Sequence, residues 1–182
     1  MVGREISSVY PKEQAEIGDV VLEVKGLTSA MLKVDHVSFQ VRRGEIVGIA
    51  GVEGNGQTEL IECVAGMLRP DSGRVLLDGQ DVTRMPVRKR REAGMSHIPE
   101  DRLKVGTAKT CTIRDNLITN RYYRKPYSKH GVMDNKALMR LSDQMCRDYQ
   151  IKTPDATYLL STLSGGNMQK VVFAREMEAD PT

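Results

Sequence analysis

Tryptophan is absent from this 182-residue chain, phenylalanine occurs twice, and aromatic residues make up only 4% of it, while methionine occurs ten times. Cysteine is also sparse. Cys63, Cys111 and Cys146 are odd in number, widely spaced and contain no C-x-x-C, which excludes a paired disulfide framework and fits reduced thiols in a cytosolic protein. The three make no metal-ligand set at these spacings. No apolar run approaches the ~20 residues needed to span a bilayer and no signal-peptide pattern opens the chain, so any membrane connection is expected to be peripheral. The net charge of +3 argues neither for nor against an anionic partner. What is present is ordinary: 40% hydrophobic and 28% charged residues, enough for one domain with a sizeable core and room for a small subdomain.

The most informative stretch is Ile46 to Leu60, IVGIAGVEGNGQTEL. An apolar run, Ile46 to Ala50, enters Gly51, Gly54 and Gly56 and then Thr58 and an apolar-periodic segment. That order is strand, glycine-rich turn, helix start: the layout of a P-loop, whose backbone N–H groups and helix dipole suit a phosphate. The pattern G-x-x-x-x-G-K-[ST] is met from Gly51 to Thr58 except at the lysine, which is Gln57. Without that lysine, such a turn on its own is more often an ordinary strand-to-helix connection.

In chain order, Met1 to Gly18 reads as a linker or tail. Val20 to Lys25 and the alternating Val37 to Val41 read as strands, and Ile46 to Ala50 as a strand covered on both faces. Leu60, Ile61, Val64 and Leu68 repeat at helical spacing. Arg74 to Leu77 is a further strand, giving a mixed antiparallel and parallel sheet. The basic run Arg84 to Gly94 reads as the solvated face of a short helix, not a nucleic-acid surface. Met95 to Ile98 reads as a strand, with His97 a sheet residue because no nucleophile motif accompanies it. Composition turns helical from Thr112, and Leu138, Leu141 and Met145 share one face of a helix over Asp134 to Tyr149. Arg121 to Tyr127 mixes basic and aromatic residues and reads as a surface loop.

Downstream lies LSGGNMQK, Leu163 to Lys170, where Ser164 is placed to cap a helix and Gly165 and Gly166 let its first turn approach another molecule. With the glycine-rich loop upstream, this order resembles the nucleotide-binding domain of ATP-binding-cassette (ABC) transporters. The resemblance covers nearly the whole chain. It implies an α/β P-loop NTPase fold of ABC type: an antiparallel β-subdomain, a P-loop core and a helical signature subdomain at about 110–165. The unit would be a partial nucleotide-binding domain over 19–182, preceded by a linker over 1–18. Glu100 stands at the Q-loop position in place of glutamine, and Thr112 to Leu117 resembles the opening of the helical subdomain. The family's adenine-stacking aromatic would fall near Ala30 to Lys33, where none occurs. The family's Walker B strand, catalytic glutamate, D-loop and switch histidine would all follow Asp180-Pro181-Thr182.

Gln57, His97 to Arg102 (HIPEDR) and LSGGNMQKVVFARE together resemble the second half of tandem ATPases that serve nucleoside and simple-sugar importers. This implies ATP and Mg²⁺ as cofactors. Gly51, Glu53, Gly54, Asn55, Gly56, Gln57, Thr58 and Glu59 would form the P-loop contacts, with the Thr58 hydroxyl on the metal. Leu163, Ser164, Gly165, Gly166, Asn167 and Gln169 would form the signature, which in this family contacts the γ-phosphate held by the opposing domain. The implied partners are a second nucleotide-binding half, membrane permease subunits and, indirectly, an extracytoplasmic substrate-binding protein, with no nucleic acid. The implied location is peripheral, on the cytoplasmic side of the plasma (inner) membrane. A soluble non-transport ABC protein acting on nucleic acid or ribosomes is the alternative, with the basic stretches as its surface. A GTPase-type switch is disfavoured because LSGGN is present and the Asn-Lys-x-Asp base-reading motif is absent. These 182 residues alone are expected to show no ATP hydrolysis above background, since none of them supplies the water-positioning carboxylate. An ATPase rate that Gln57→Ala abolishes would contradict this.

Overall fold

The computed structural model describes residues 15–179 and Pro181; the expected linker over 1–18 lies mostly outside the described residues. Four strands form one antiparallel sheet: β1 (Val20–Ser29), β2 (Val34–Arg42), β3 (Ser72–Leu77) and β4 (Gln80–Asp81), in the order β2-β1-β3-β4. β1 takes the centre, pairing Val24 with Phe39 on one side and with Val75 on the other. The inward side chains Val24, Leu27, Val34, Val75 and Leu77 pack on Leu60, Cys63 and Val64 of α1 (Gln57–Ala65). This is the face that the apolar spacing of α1 provides.

A second core belongs to the helices. α2 (Val87–Glu92) lies between the lobes in sequence. α3 (Ile113–Ile118) opens on a capping box in which the Thr112 hydroxyl accepts from the Asp115 N–H and the Asp115 carboxylate accepts from the Thr112 N–H. A short hairpin of β5 (Ser128–Lys129) and β6 (Val132–Met133) precedes α4 (Asn135–Asp148), which Asp134 caps through the Ala137 N–H at 2.9 Å. α5 (Gly165–Met177) then lays Val171 and Ala174 against Ile113, Leu117, Met145 and Leu160. The cluster is aliphatic and methionine-rich, as the shortage of aromatic rings requires.

Two strands expected from the sequence do not form. Neither Ile46 to Ala50 nor Met95 to Ile98 joins a β-ladder among the described residues. Far from being covered on both faces, Ile46 is 97% exposed and Ile49 45%. A strand needs a neighbour to take its hydrogen bonds, and all the described ladders are antiparallel and lie elsewhere. His97 is accordingly no sheet residue. It sits half-buried in an irregular segment, where burial first and the Arg91 charge second push its imidazole below the usual histidine range.

The basic run also departs from expectation. Arg88 and Lys89 do face outward, paired with Glu92 at 3.0 and 2.7 Å, and the Arg88 guanidinium lies 3.5 Å above the Tyr123 ring. Arg90, however, is only 2% exposed. Its guanidinium donates to the carbonyls of Cys63 and Val64 at the end of α1 and to those of Thr83 and Met85. The last carbonyls of a helix have no partner within it, and a cation there also meets the negative end of the dipole. Four acceptors on one fork explain a buried arginine without a carboxylate. Arg90→Met should lower stability by about 3–5 kcal/mol, whereas Arg88→Met should cost under about 1 kcal/mol. Urea unfolding of the two variants separates them.

Candidate functional site

The glycine-rich turn arrives at α1 through two left-handed residues, Gly54 (φ 83°) and Gly56 (φ 92°, the N-cap), which other residues adopt at a cost. The first-turn N–H groups of α1, those of Gln57 to Glu59, have no acceptor within the helix and point out of its positive end. Gln57 does not reach outward. Its amide folds back and donates to the Val52 carbonyl at 3.1 Å, in space that a Cβ on Gly51 would fill. The Thr58 hydroxyl donates to the Glu100 carboxylate at 3.1 Å. The structure thus joins the loop threonine to the acid expected at the Q-loop position, 42 residues apart in sequence. Glu53 and Asn55 are exposed on the turn and Glu59 is half-buried on the first turn of the helix.

Thr58 and Glu100 present hard oxygen donors side by side, which suits Mg²⁺. No cluster of three or more His, Cys, Asp or Glu residues capable of holding a metal occurs among the described residues. A metal here would therefore take its remaining ligands from water and phosphate, the usual arrangement for Mg²⁺.

The second motif opens α5. Leu163 is buried, Ser164, Gly165, Gly166 and Gln169 are exposed, and Asn167 is half-buried. Ser164 is the N-cap by position, but its hydroxyl accepts no backbone N–H, contrary to the expected side-chain cap. It accepts instead from the Asn167 amide at 3.1 Å, while the Asn167 carbonyl oxygen takes the Lys152 N–H at 3.1 Å. Asn167 thereby orients the serine and fastens the helix start to the preceding loop. A Cβ at Gly165 or Gly166 would meet nothing within 4 Å. Neither glycine has a positive φ, so the chain's own packing and backbone require neither. Among the described residues, no hydrogen bond or ion pair joins Gly51–Glu59 to Leu163–Gln169 directly.

The link between them is indirect and the sequence did not reveal it. Glu176, fully buried near the end of α5, accepts from Arg91 at 2.7 Å, from Arg175 at 2.8 Å and from the His97 N–H at 3.4 Å. The Ser96 hydroxyl donates to the Glu176 carbonyl at 2.9 Å. Three residues beyond His97 the chain reaches Glu100. The one sequence signal was spacing: Glu176 follows Val172 by four, on a buried face of the helix. Lys33, which donates to the Gly54 carbonyl at 2.9 Å, was likewise missed, because its approach comes from a separate turn.

A turn of this shape takes phosphate, which places the chain among P-loop nucleotide-binding domains. Comparison carries this a step further: the family model described as ABC transporter matches residues 34–182, and the chain belongs to that family. Its fold is the ABC-type α/β P-loop fold, as in a nucleotide-free ATP-binding cassette from an ABC transporter (TM-score 0.69, 21% identity, 89% of this chain and 66% of that one). A dimeric bacterial ABC transporter cassette is similarly alike (TM-score 0.69, 18% identity, 88% and 70%). Among curated proteins, the chain is 40% identical to the guanosine import ATP-binding protein NupO of Bacillus subtilis, over all of this chain and 36% of that protein. It is 38% identical to the nucleoside import ATP-binding protein NupA of Lactococcus lactis, over all of this chain and 37% of that protein. The xylose import ATP-binding protein XylG of Photobacterium profundum is 36% identical, again over all of this chain and 37% of that protein. The chain therefore spans about a third of the length of these relatives.

The Gly51–Gln57 contact has a measurable signature. A methyl at position 51 should expel the Gln57 amide, so Gly51→Ala and Gln57→Ala should each cost about 1 kcal/mol, the value of one neutral hydrogen bond. The double variant should cost no more than Gln57→Ala alone, a non-additivity that urea unfolding of the cycle reads directly.

Proposed function

We propose that these residues form the second nucleotide-binding half of a tandem ATPase that powers import of nucleosides or simple sugars. In this reading residues 1–18 are the linker, 19–182 belong to the second nucleotide-binding domain, and about 110–165 is its helical subdomain. The exposed Ile46 to Ala50 run is then a central strand covered by later parts of a longer chain. The names of the relatives support the importer class and span both cargo types. Permease subunits and an extracytoplasmic binding protein would be the partners, and the protein would lie on the cytoplasmic face of the membrane. No helix among the described residues is long and apolar enough to cross it.

The two half-sites divide the work unequally. The loop here lacks its lysine, and Gln57 is turned inward; losing a charge-assisted contact costs roughly 1.5–3 kcal/mol, about ten- to a hundredfold in nucleotide affinity. The N–H cradle and Thr58 remain, so nucleotide is held weakly with Mg²⁺ on Thr58, and the loop does not support fast hydrolysis. The signature completes the ATP site built on the other half's loop.

The observation that carries this is the open space at Gly165 and Gly166. Glycine in a helix costs up to about 1 kcal/mol relative to alanine. Two of them with no internal reason point to a neighbour that comes close. The exposed, oriented Ser164 hydroxyl and the helix N-terminus then face an anion.

The test uses the complete transporter. Gly165→Asp places a carboxylate against the γ-phosphate, a repulsion of about 4 kcal/mol at ~4 Å and an effective dielectric of 20. ATP turnover and substrate uptake should fall by roughly three orders of magnitude. Gln57→Ala should lower them far less. Equal damage from the two changes would end the asymmetric reading.

A further inference from the structure

We propose that the ammonium of Lys33 stands in for the lysine this loop lacks, as the cation for the phosphates of a nucleotide held on Gly51 to Thr58. The inference rests on the reading above that the loop still holds nucleotide.

Lys33 belongs to another part of the fold, immediately after the 3₁₀ turn Ala30–Leu32 that joins β1 to β2. Among the described residues it is the one cation that bonds to the loop, through Nζ to the Gly54 carbonyl at 2.9 Å. That bond uses one of the three N–H donors of an ammonium, so two remain for an anion. The stem is flexible, and a neutral carbonyl is a weaker partner for an ammonium than a phosphate oxygen. Nothing in the loop can do the same, because the side chain at the lysine position is a neutral amide bonded to Val52.

Two further observations favour a role for this side chain. Lys33 has a left-handed backbone, φ 55° and ψ 30°, where glycine or asparagine is the easier choice. A lysine there is not selected by the backbone. The loop also carries Glu53 and Glu59 and meets Glu100 through Thr58. Three carboxylates beside a phosphate cradle would repel a nucleotide unless a cation offsets them. Mg²⁺ on Thr58 offsets part of this charge, and Lys33 is positioned to offset more.

The test measures binding of a fluorescent trinitrophenyl-ATP with Mg²⁺ to the complete protein that contains these residues. Any other P-loop lysine in it is first changed to alanine so that this loop alone is read. Lys33→Gln should weaken binding roughly tenfold, the loss of one charge-assisted contact, and flatten its salt dependence. Lys33→Arg should stay within about threefold of the parent, since the charge is kept. Gln57→Lys added to Lys33→Gln should restore affinity. Should Lys33→Gln lower the melting temperature of the nucleotide-free protein, Lys33→Asn, which suits the left-handed backbone, takes its place with the same expected loss. A parent that binds and a Lys33 variant that binds equally well overturns this inference alone. A parent that shows no binding overturns the reading of the loop as a residual nucleotide site, and this inference with it.

Discussion

Glu176 is the constraint on which the arrangement of the two motifs depends. A carboxylate with no exposed surface must be paired, and its partners come from three places: Arg91 on α2, Arg175 beside it on α5, and the His97 N–H. Arg175 in turn donates to the Gly106 carbonyl, and Asn120 donates to the Arg175 carbonyl. The end of α5 is therefore bonded to α2, to the segment before Glu100 and to the chain after it. The same helix starts at the LSGGN motif, and Glu100 is bonded to Thr58 of the glycine-rich loop. One buried acid relates a helix start that faces outward to a loop that belongs to the other core.

The two motifs end up in contrasting states. The loop is turned on itself, with Gln57 bonded inside it and Lys33 and Glu100 bonded to its flanks. The LSGGN motif is open: Ser164 and Asn167 are bonded to each other, Asn167 also takes the Lys152 N–H, and the two glycines face empty space. Donors oriented from behind and exposed in front would suit the proposed role of stabilising charge on another molecule.

Much of this was legible in the sequence, and what was not has a common cause. The strands around Val24 and Val37 and the helices led by Leu60 and Leu138 followed from local period, which acts within a few positions, and the Thr112 opening from a shift in composition and the resemblance. Ile46 to Ala50 and Met95 to Ile98 have strand composition, but pairing is a property of two segments and no single one reveals it. Arg90 was hidden among four basic neighbours, since nothing local distinguishes the one whose fork meets the carbonyls of α1. The Ser164 hydroxyl was expected on a backbone N–H and lies instead on Asn167, three residues on, because that amide competes for it. The pairing of Thr58 with Glu100 is visible only once both lobes are folded.

The bare Ile46 to Ala50 run also poses a problem of timing. It lies between β2 and α1 and is synthesised early relative to any later segment that could cover it. At about 5–20 residues per second, each further 20 residues of a longer chain keep that apolar edge open for roughly one to four seconds. Unpaired apolar edges join to one another, and hairpin formation takes only about 1–10 μs. A ribosome making a longer chain of this kind would carry an adhesive apolar run for far longer than any local folding step lasts. The charged residues just before it, Arg42, Arg43 and Glu45, stand where solubilising gatekeepers are placed beside an unavoidable hydrophobic strand.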